Sequence, residues 1–147
     1  LLGELREALG LTYIFISHDL HVVGYLSDRV AVMYLGKVVE LAETNELYNK
    51  PLHPYTQALL GSVPTMNPHQ RSTQPPLTGD PPSPIAPPSG CCFRTRCKHA
   101  MEVCAQVEPP LQEAEAGRLV ACHLYGEGEH ANASESPPAG AGDESLG

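Results

Sequence analysis

Hydrophobic positions are unevenly spread, and nearly all of the periodic signal lies in residues 1–63. Leu2, Leu5, Ala8 and Leu9 recur at helical spacing with Glu4, Arg6 and Glu7 between them. This predicts an amphipathic helix running up to Gly10, where a left-handed C-terminal cap is expected. The next run, Thr12-Tyr13-Ile14-Phe15-Ile16, is continuous, β-branched and aromatic. It predicts a strand buried on both faces, as in a parallel sheet. From Asp19 to Leu26 helical spacing returns through Leu20, Val23 and Leu26. Arg29 to Tyr34 then reads as a strand, Leu35-Gly36 as a turn, and Lys37 to Leu41 as a short antiparallel partner. Pro54 suits the first turn of another helix, whose apolar stripe would be Tyr55, Ala58, Leu59 and Val63. Strand, helix, strand and hairpin in this order predict an α/β fold class.

Beyond residue 63 the periodicity fades and composition takes over. Residues 67–90 hold eight Pro (68, 75, 76, 81, 82, 84, 87 and 88), which predicts an extended connector because Pro removes a donor and biases its predecessor to extended backbone. All five Cys fall in residues 91–125. From Gly126 the chain is mostly Ala, Gly, Ser and Pro with five acids and no Lys or Arg. Too little apolar surface is present there to offset ordering entropy, so a disordered acidic tail is expected. That tail supplies five of the eight net negative charges of the chain, which has 17 acidic against nine basic residues. The balance argues against nucleic acid as a partner. No run of about 18 apolar residues exists to span a bilayer. At 147 residues the chain suits one ordinary domain or two very small ones. It opens on Leu rather than Met, and so reads as a piece of a longer protein.

Two stretches carry candidate chemistry. The first is Ser17-His18-Asp19, between the predicted buried strand and a helix. Ligands collect at carboxyl ends of strands beside helix N-termini in open α/β sheets. A His there can donate to a phosphate oxygen and change charge near neutral pH. Ser17 or Asp19 capping the helix, with His18 bonding a loop carbonyl, is the competing reading.

The stretches Leu11 to Leu20 and Ser27 to Glu40 resemble the C-terminal part of an ABC transporter ATPase. Pro51-Leu52-His53-Pro54-Tyr55-Thr56-Gln57-Ala58-Leu59-Leu60 narrows the resemblance to ATP-binding subunits of oligopeptide and dipeptide importers, and Pro82 to Cys97 is similar to their C-terminal extension. The resemblance implies four zones: residues 1–50 as the end of the nucleotide-binding domain, 51–90 as helix and Pro-rich linker, 91–125 as a four-cysteine extension, and 126–147 as the tail. It implies that His18 is the switch histidine that contacts the γ-phosphate of ATP and helps position the attacking water. ATP and Mg²⁺ would be the cofactors of the complete subunit. A second ATPase subunit, two membrane permease subunits and an extracytoplasmic solute-binding protein would be its partners, at the cytoplasmic face of the membrane. The 147 residues contain no G-x-x-x-x-G-K-S/T phosphate loop, no acidic Mg²⁺-holding strand and no Ser-Gly-Gly signature. The expectation is that this chain alone neither binds ATP tightly nor hydrolyses it, and that in isolation it exposes apolar faces and becomes aggregating or molten.

The second stretch reads Cys91-x5-Cys97-x6-Cys104-x17-Cys122, with Cys92 as an extra thiol. Disulfides would suit an oxidising compartment and leave one thiol over. A structural zinc site usually pairs ligands as short C-x2–4-C knuckles, absent here. Iron–sulfur ligation tolerates irregular spacing, and reduced thiols without metal are the fourth reading. The resemblance favours a 4Fe–4S cluster on Cys91, Cys97, Cys104 and Cys122, with zinc less favoured. His99 and His123 adjoin two of these positions. Arg94, Arg96 and Lys98 would lower thiolate pKa values and offset cluster charge, or else form a solvated face. With little core of its own, this zone is expected to need a metal to fold. A rival function follows: a stand-alone metal or redox module that carries an ATPase remnant.

Overall fold

The computed structural model describes residues 2–62 and 80–126. Val63, most of the Pro-rich connector and the acidic tail lie outside the described residues. Helix α1 (Leu2–Leu9) ends as predicted, with Gly10 at φ 61°. Helix α2 (Leu20–Leu26) starts at the Asp19 cap. Strands β1 (Arg29–Tyr34) and β2 (Lys37–Glu43) form the expected hairpin. Its turn places Leu35 at φ 47° and Gly36 at φ 79°, two successive left-handed residues whose twist suits a tight antiparallel connection. Helices α3 (Thr44–Asn49) and α4 (Pro54–Gly61) follow.

The cysteine zone contributes a short 3₁₀ turn at Arg94–Arg96, helix α5 (Val103–Gln106), strands β3 (Gln112–Glu115) and β4 (Arg118–Val120), and a 3₁₀ turn at His123–Tyr125. All four strands make one antiparallel sheet in the order β1-β2-β4-β3. Strand β4 pairs with β2 through Glu40–Val120 and Leu41–Leu119, so the cysteine zone returns to extend the first hairpin. Helices and strands therefore mix as the α/β expectation has it, but the described sheet contains no parallel pair.

The predicted strand over 12–16 is corrected by the structure. Residues 11–17 enter no helix or ladder, and Ile14 and Ile16 are 95% and 92% exposed. A strand exists only where a neighbour takes up its N–H and C=O groups, and no described strand lies beside this one. Its composition suits burial that the described residues do not supply.

One apolar core joins the two halves of the chain. Val30, Val32, Tyr34, Val39, Ala42 and Leu47 pack with Cys91, Cys92, Phe93 and Cys104. Alternation along β1 turns Val30, Val32 and Tyr34 inward while Arg29, Ala31 and Met33 face out, the period-two pattern of a half-buried strand. Phe93, 2% exposed, sits edge-on to Tyr34 with ring centroids 5.2 Å apart and lies 5.4 Å from Tyr55. The cysteine zone thus takes its core from the hairpin and α4.

Candidate functional site

The turn that carries His18 is built by its neighbours. Ser17 Oγ accepts from Asp19 N–H at 3.0 Å, and Asp19 Oδ1 accepts from His21 N–H at 2.9 Å and Val22 N–H at 3.2 Å. These bonds satisfy two of the orphan donors that open a helix, so of the two capping candidates, Ser17 and Asp19, it is Asp19 that caps α2. His18 is left exposed between the irregular segment 11–17 and α2. An imidazole on such a turn can reach a phosphate brought to it. Alone it does not make a nucleotide site, and none of the four predicted thiols joins it.

The thiols are held differently. All five cysteines are unbridged, which removes the disulfide reading for the described structure. Cys91, Cys104 and Cys122 are buried and Cys97 is half-buried. The Cys91 sulfur accepts from Phe93 and Arg94 N–H, Cys97 from His99 N–H, and Cys122 from Leu124 N–H. Met101 N–H reaches Cys104 Sγ at 3.5 Å. Cys97 and Cys122 each lie within electrostatic reach of Cys91 and Cys104, and Cys122 also within reach of Cys97. Backbone donors aimed at sulfur stabilise thiolate, the form that binds metal.

Burial outweighs those donors. It pushes the thiols of Cys91 and Cys97 up, and that of Cys122 up to about 11. Arg94 and Lys98 lower Cys91 and Cys97 only as their smallest influences. The expectation that nearby cations lower these thiols is therefore corrected: desolvation of a charged sulfur is the larger effect. Cys92 stands apart, with its thiol toward the Tyr34 carbonyl at 4.0 Å and near Lys37 and Glu108. His123 Nε2 is 2.9 Å from the Val107 carbonyl oxygen and so is occupied by backbone.

Three buried thiols and a half-buried one, with N–H donors, have the chemistry of a thiolate ligand set. Their spacing is not that of a single-ion site: among the described residues no three His, Cys, Asp or Glu side chains stand close enough to hold one metal ion. The rival reading, a stand-alone metal module, loses its support on this and on the shared core.

A second buried constellation joins the zones. The Glu40 carboxylate accepts from Leu52 N–H at 2.8 Å and His53 N–H at 2.9 Å, and lies 3.7 Å from the Arg118 guanidinium. Arg118 also donates to the Lys50 carbonyl and pairs with Glu115 at 2.8 Å. His53 Nδ1 accepts from Tyr55 N–H at 3.0 Å and so caps α4, while burial pushes its pKa down to about 4.

Residues 39–104, from β2 to Cys104, match the family model described as the oligopeptide/dipeptide transporter, C-terminal region. These residues carry that family's C-terminal region. The oligopeptide transport ATP-binding protein AppF of Bacillus subtilis is 53% identical over 127 residues, covering 85% of this chain and 39% of AppF. The dipeptide transport ATP-binding protein DppF of Escherichia coli is 45% identical over 130 residues, covering 88% of this chain and 39% of DppF. The chain thus spans about two-fifths of the length of these relatives.

Within the oligopeptide/dipeptide-transporter region, the string Pro51 to Thr56 acquires a physical role. Leu52 and His53 hang their N–H groups on Glu40, and His53 and Pro54 start α4. The sequence reading gave Glu40 no part in a site. The available signal was a carboxylate at an inward position of β2, where an unpaired charge is too costly to keep.

Proposed function

We propose that this chain is the C-terminal part of an ATP-binding subunit that powers ABC-type import of dipeptides or oligopeptides. The observation that carries the reading is the likeness to AppF and DppF, at 53% and 45% identity over most of the chain. On this reading residues 1–50 close the nucleotide-binding domain, 51–90 form the helix and linker, 91–125 the four-cysteine extension, and 126–147 the tail. The subunit works with a second ATPase subunit, two permease subunits and an extracytoplasmic solute-binding protein, at the cytoplasmic face of the membrane. No helix among the described residues is long and apolar enough to cross it.

His18 is the residue assigned to ATP. Its exposed position on a capped turn lets the imidazole donate to the γ-phosphate once the rest of the nucleotide site is present. ATP and its Mg²⁺ supply the phosphoryl group and neutralise charge on it; His18 adds one positioned donor. Segment 11–16 is assigned to a sheet completed by the remainder of the subunit, which accounts for an apolar run left in solvent. Cys91, Cys97, Cys104 and Cys122 are assigned to a 4Fe–4S cluster. The reading is supported by the backbone N–H groups that favour the thiolates of Cys91, Cys97 and Cys122, and by the mutual electrostatic reach of the four thiols.

The test uses the complete transporter in membranes. In the full subunit, His18→Ala should lower ATP turnover by about 10² to 10³, the cost of one missing charge-stabilising donor, with ATP binding retained. A loss under about threefold would remove His18 from the chemistry.

A further inference from the structure

Helix α2 follows the His18 turn, yet none of its residues is buried. Val23 leans on the apolar core, and α3 grips the helix at both ends. At the far end, Thr44 Oγ1 donates to the Ser27 carbonyl at 2.5 Å and Thr44 N–H to the Asp28 carbonyl at 3.0 Å. At the near end, the Tyr48 hydroxyl donates to the carbonyl of Leu20, two residues after His18. The Tyr48 ring lies against Gly24, where an added Cβ would stand 3.1 Å from Cζ. Asp19, the cap that follows His18, is within electrostatic reach of the same hydroxyl. Helix α3 is itself anchored by Leu47, 1% exposed in the core. We propose that Tyr48 is a positioning residue for His18: by clamping the first turn of α2, it sets where the imidazole stands relative to a bound γ-phosphate. This inference rests on the assignment of His18 to ATP.

The need for a clamp follows from the length of α2. Seven residues are too few for a helix to hold its place without tertiary ties. With the Thr44 grip alone, the helix would be tied at its far end and loose at the end that bears His18. Across a helix of roughly 10 Å, a swing of about 6° about Thr44 displaces the near end by about 1 Å. A misplacement of that size can cost about 10² in rate when it moves a reacting group. The Leu20 carbonyl has a lone pair to spare beyond its helical bond, so the hydroxyl can hold the backbone without disturbing the helix. Gly24 admits the ring because it has no Cβ. Its substitution would push α2 off α3.

The test uses the complete transporter in membranes, with Tyr48→Phe in the full subunit, which keeps the ring and removes the hydroxyl. kcat for ATP should fall about tenfold while KM for ATP stays within about twofold. In a His18→Ala background the same substitution should change kcat by less than about twofold, because nothing is left for Tyr48 to place. Gly24→Ala should lower kcat in the same way. Alanine is the better helix former, so that loss would not come from a melted α2. An unchanged kcat in Tyr48→Phe would overturn the proposal, as would an equal loss with and without His18, the result of a merely structural role. If His18→Ala impairs turnover and Tyr48→Phe does not, the clamp falls and the ATP assignment stands. If His18→Ala leaves turnover intact, the assignment falls and the clamp's role falls with it.

Discussion

Glu40 shows how a single residue can decide the packing of three segments. It is fully buried, and two backbone N–H groups and Arg118 compensate a charge that would otherwise be prohibitive to desolvate. The N–H donors come from Leu52 and His53, so α4 is tied to β2 through this carboxylate. Beside it His53 is held neutral by burial, with its pKa lowered from 6.5 to about 4. The unfolded chain therefore binds more protons than the folded one between those values. This contribution to stability is intact above about pH 6.5 and is lost as pH falls to about 4, with a magnitude of about 3 kcal/mol. Urea midpoints measured across that range should fall less steeply for His53→Asn, whose amide oxygen can still accept from Tyr55 N–H. Identical slopes for the two proteins would show that His53 is not the group responsible. At this scale the capping role of Asp19 was legible in its place before a helical run. The Glu40–Arg118 pair was not, since no local pattern links a strand residue to one that returns from the far end of the chain.

Among the elements, hairpin β1–β2 and helix α4 followed directly from local chemistry. Alternation along β1, the Leu35-Gly36 turn and Pro54 in a first helical turn are signals that need no partner. Strands β3 and β4 carry weak signals and exist because β2 offers β4 an edge. The same logic in reverse leaves residues 12–16 without a ladder despite strong strand composition. Two glycines separate a turn from a close approach. Gly36, at φ 79°, has open space around a would-be Cβ, whereas a Cβ on Gly90, at φ 66°, would run into the Cys104 carbonyl and Ala105. That approach lets Cys91 N–H donate to the Cys104 carbonyl at 2.8 Å and brings two of the thiol segments together. Gly36→Ala should cost about 1 kcal/mol for backbone strain, and Gly90→Ala about 2 kcal/mol more for the added clash. Equal losses in denaturant titrations would mean that the close approach is absent in solution.

For the molecule as a whole, the placement of apolar surface separates a packed part from an unpartnered one. The sheet, α4 and the cysteine zone share a core, whereas Ile14, Ile16 and Tyr25 are about nine-tenths exposed or more. The isolated chain should bind a hydrophobic dye, and Ile14→Ser with Ile16→Ser should reduce that binding severalfold while leaving the unfolding free energy from urea titration within about 0.5 kcal/mol. If the double variant lowered the midpoint strongly, the segment would instead be part of the folded core. The shared core argues against the molten state expected from the sequence: the packed part should still unfold cooperatively, with dye binding confined to the exposed segment. By itself the sequence determined whatever is written in neighbouring residues: the helix stop at Gly10, the Asp19 cap, the hairpin, the start of α4, and the identity of the region. Tertiary structure alone decided that β4, carrying β3, extends the hairpin into one antiparallel sheet. It also decided that the thiols' burial outweighs their cations, and that Glu40, His53 and Arg118 meet. These depend on which distant segments exclude water from one another, and desolvation is a property of the assembled neighbourhood that no local spacing records.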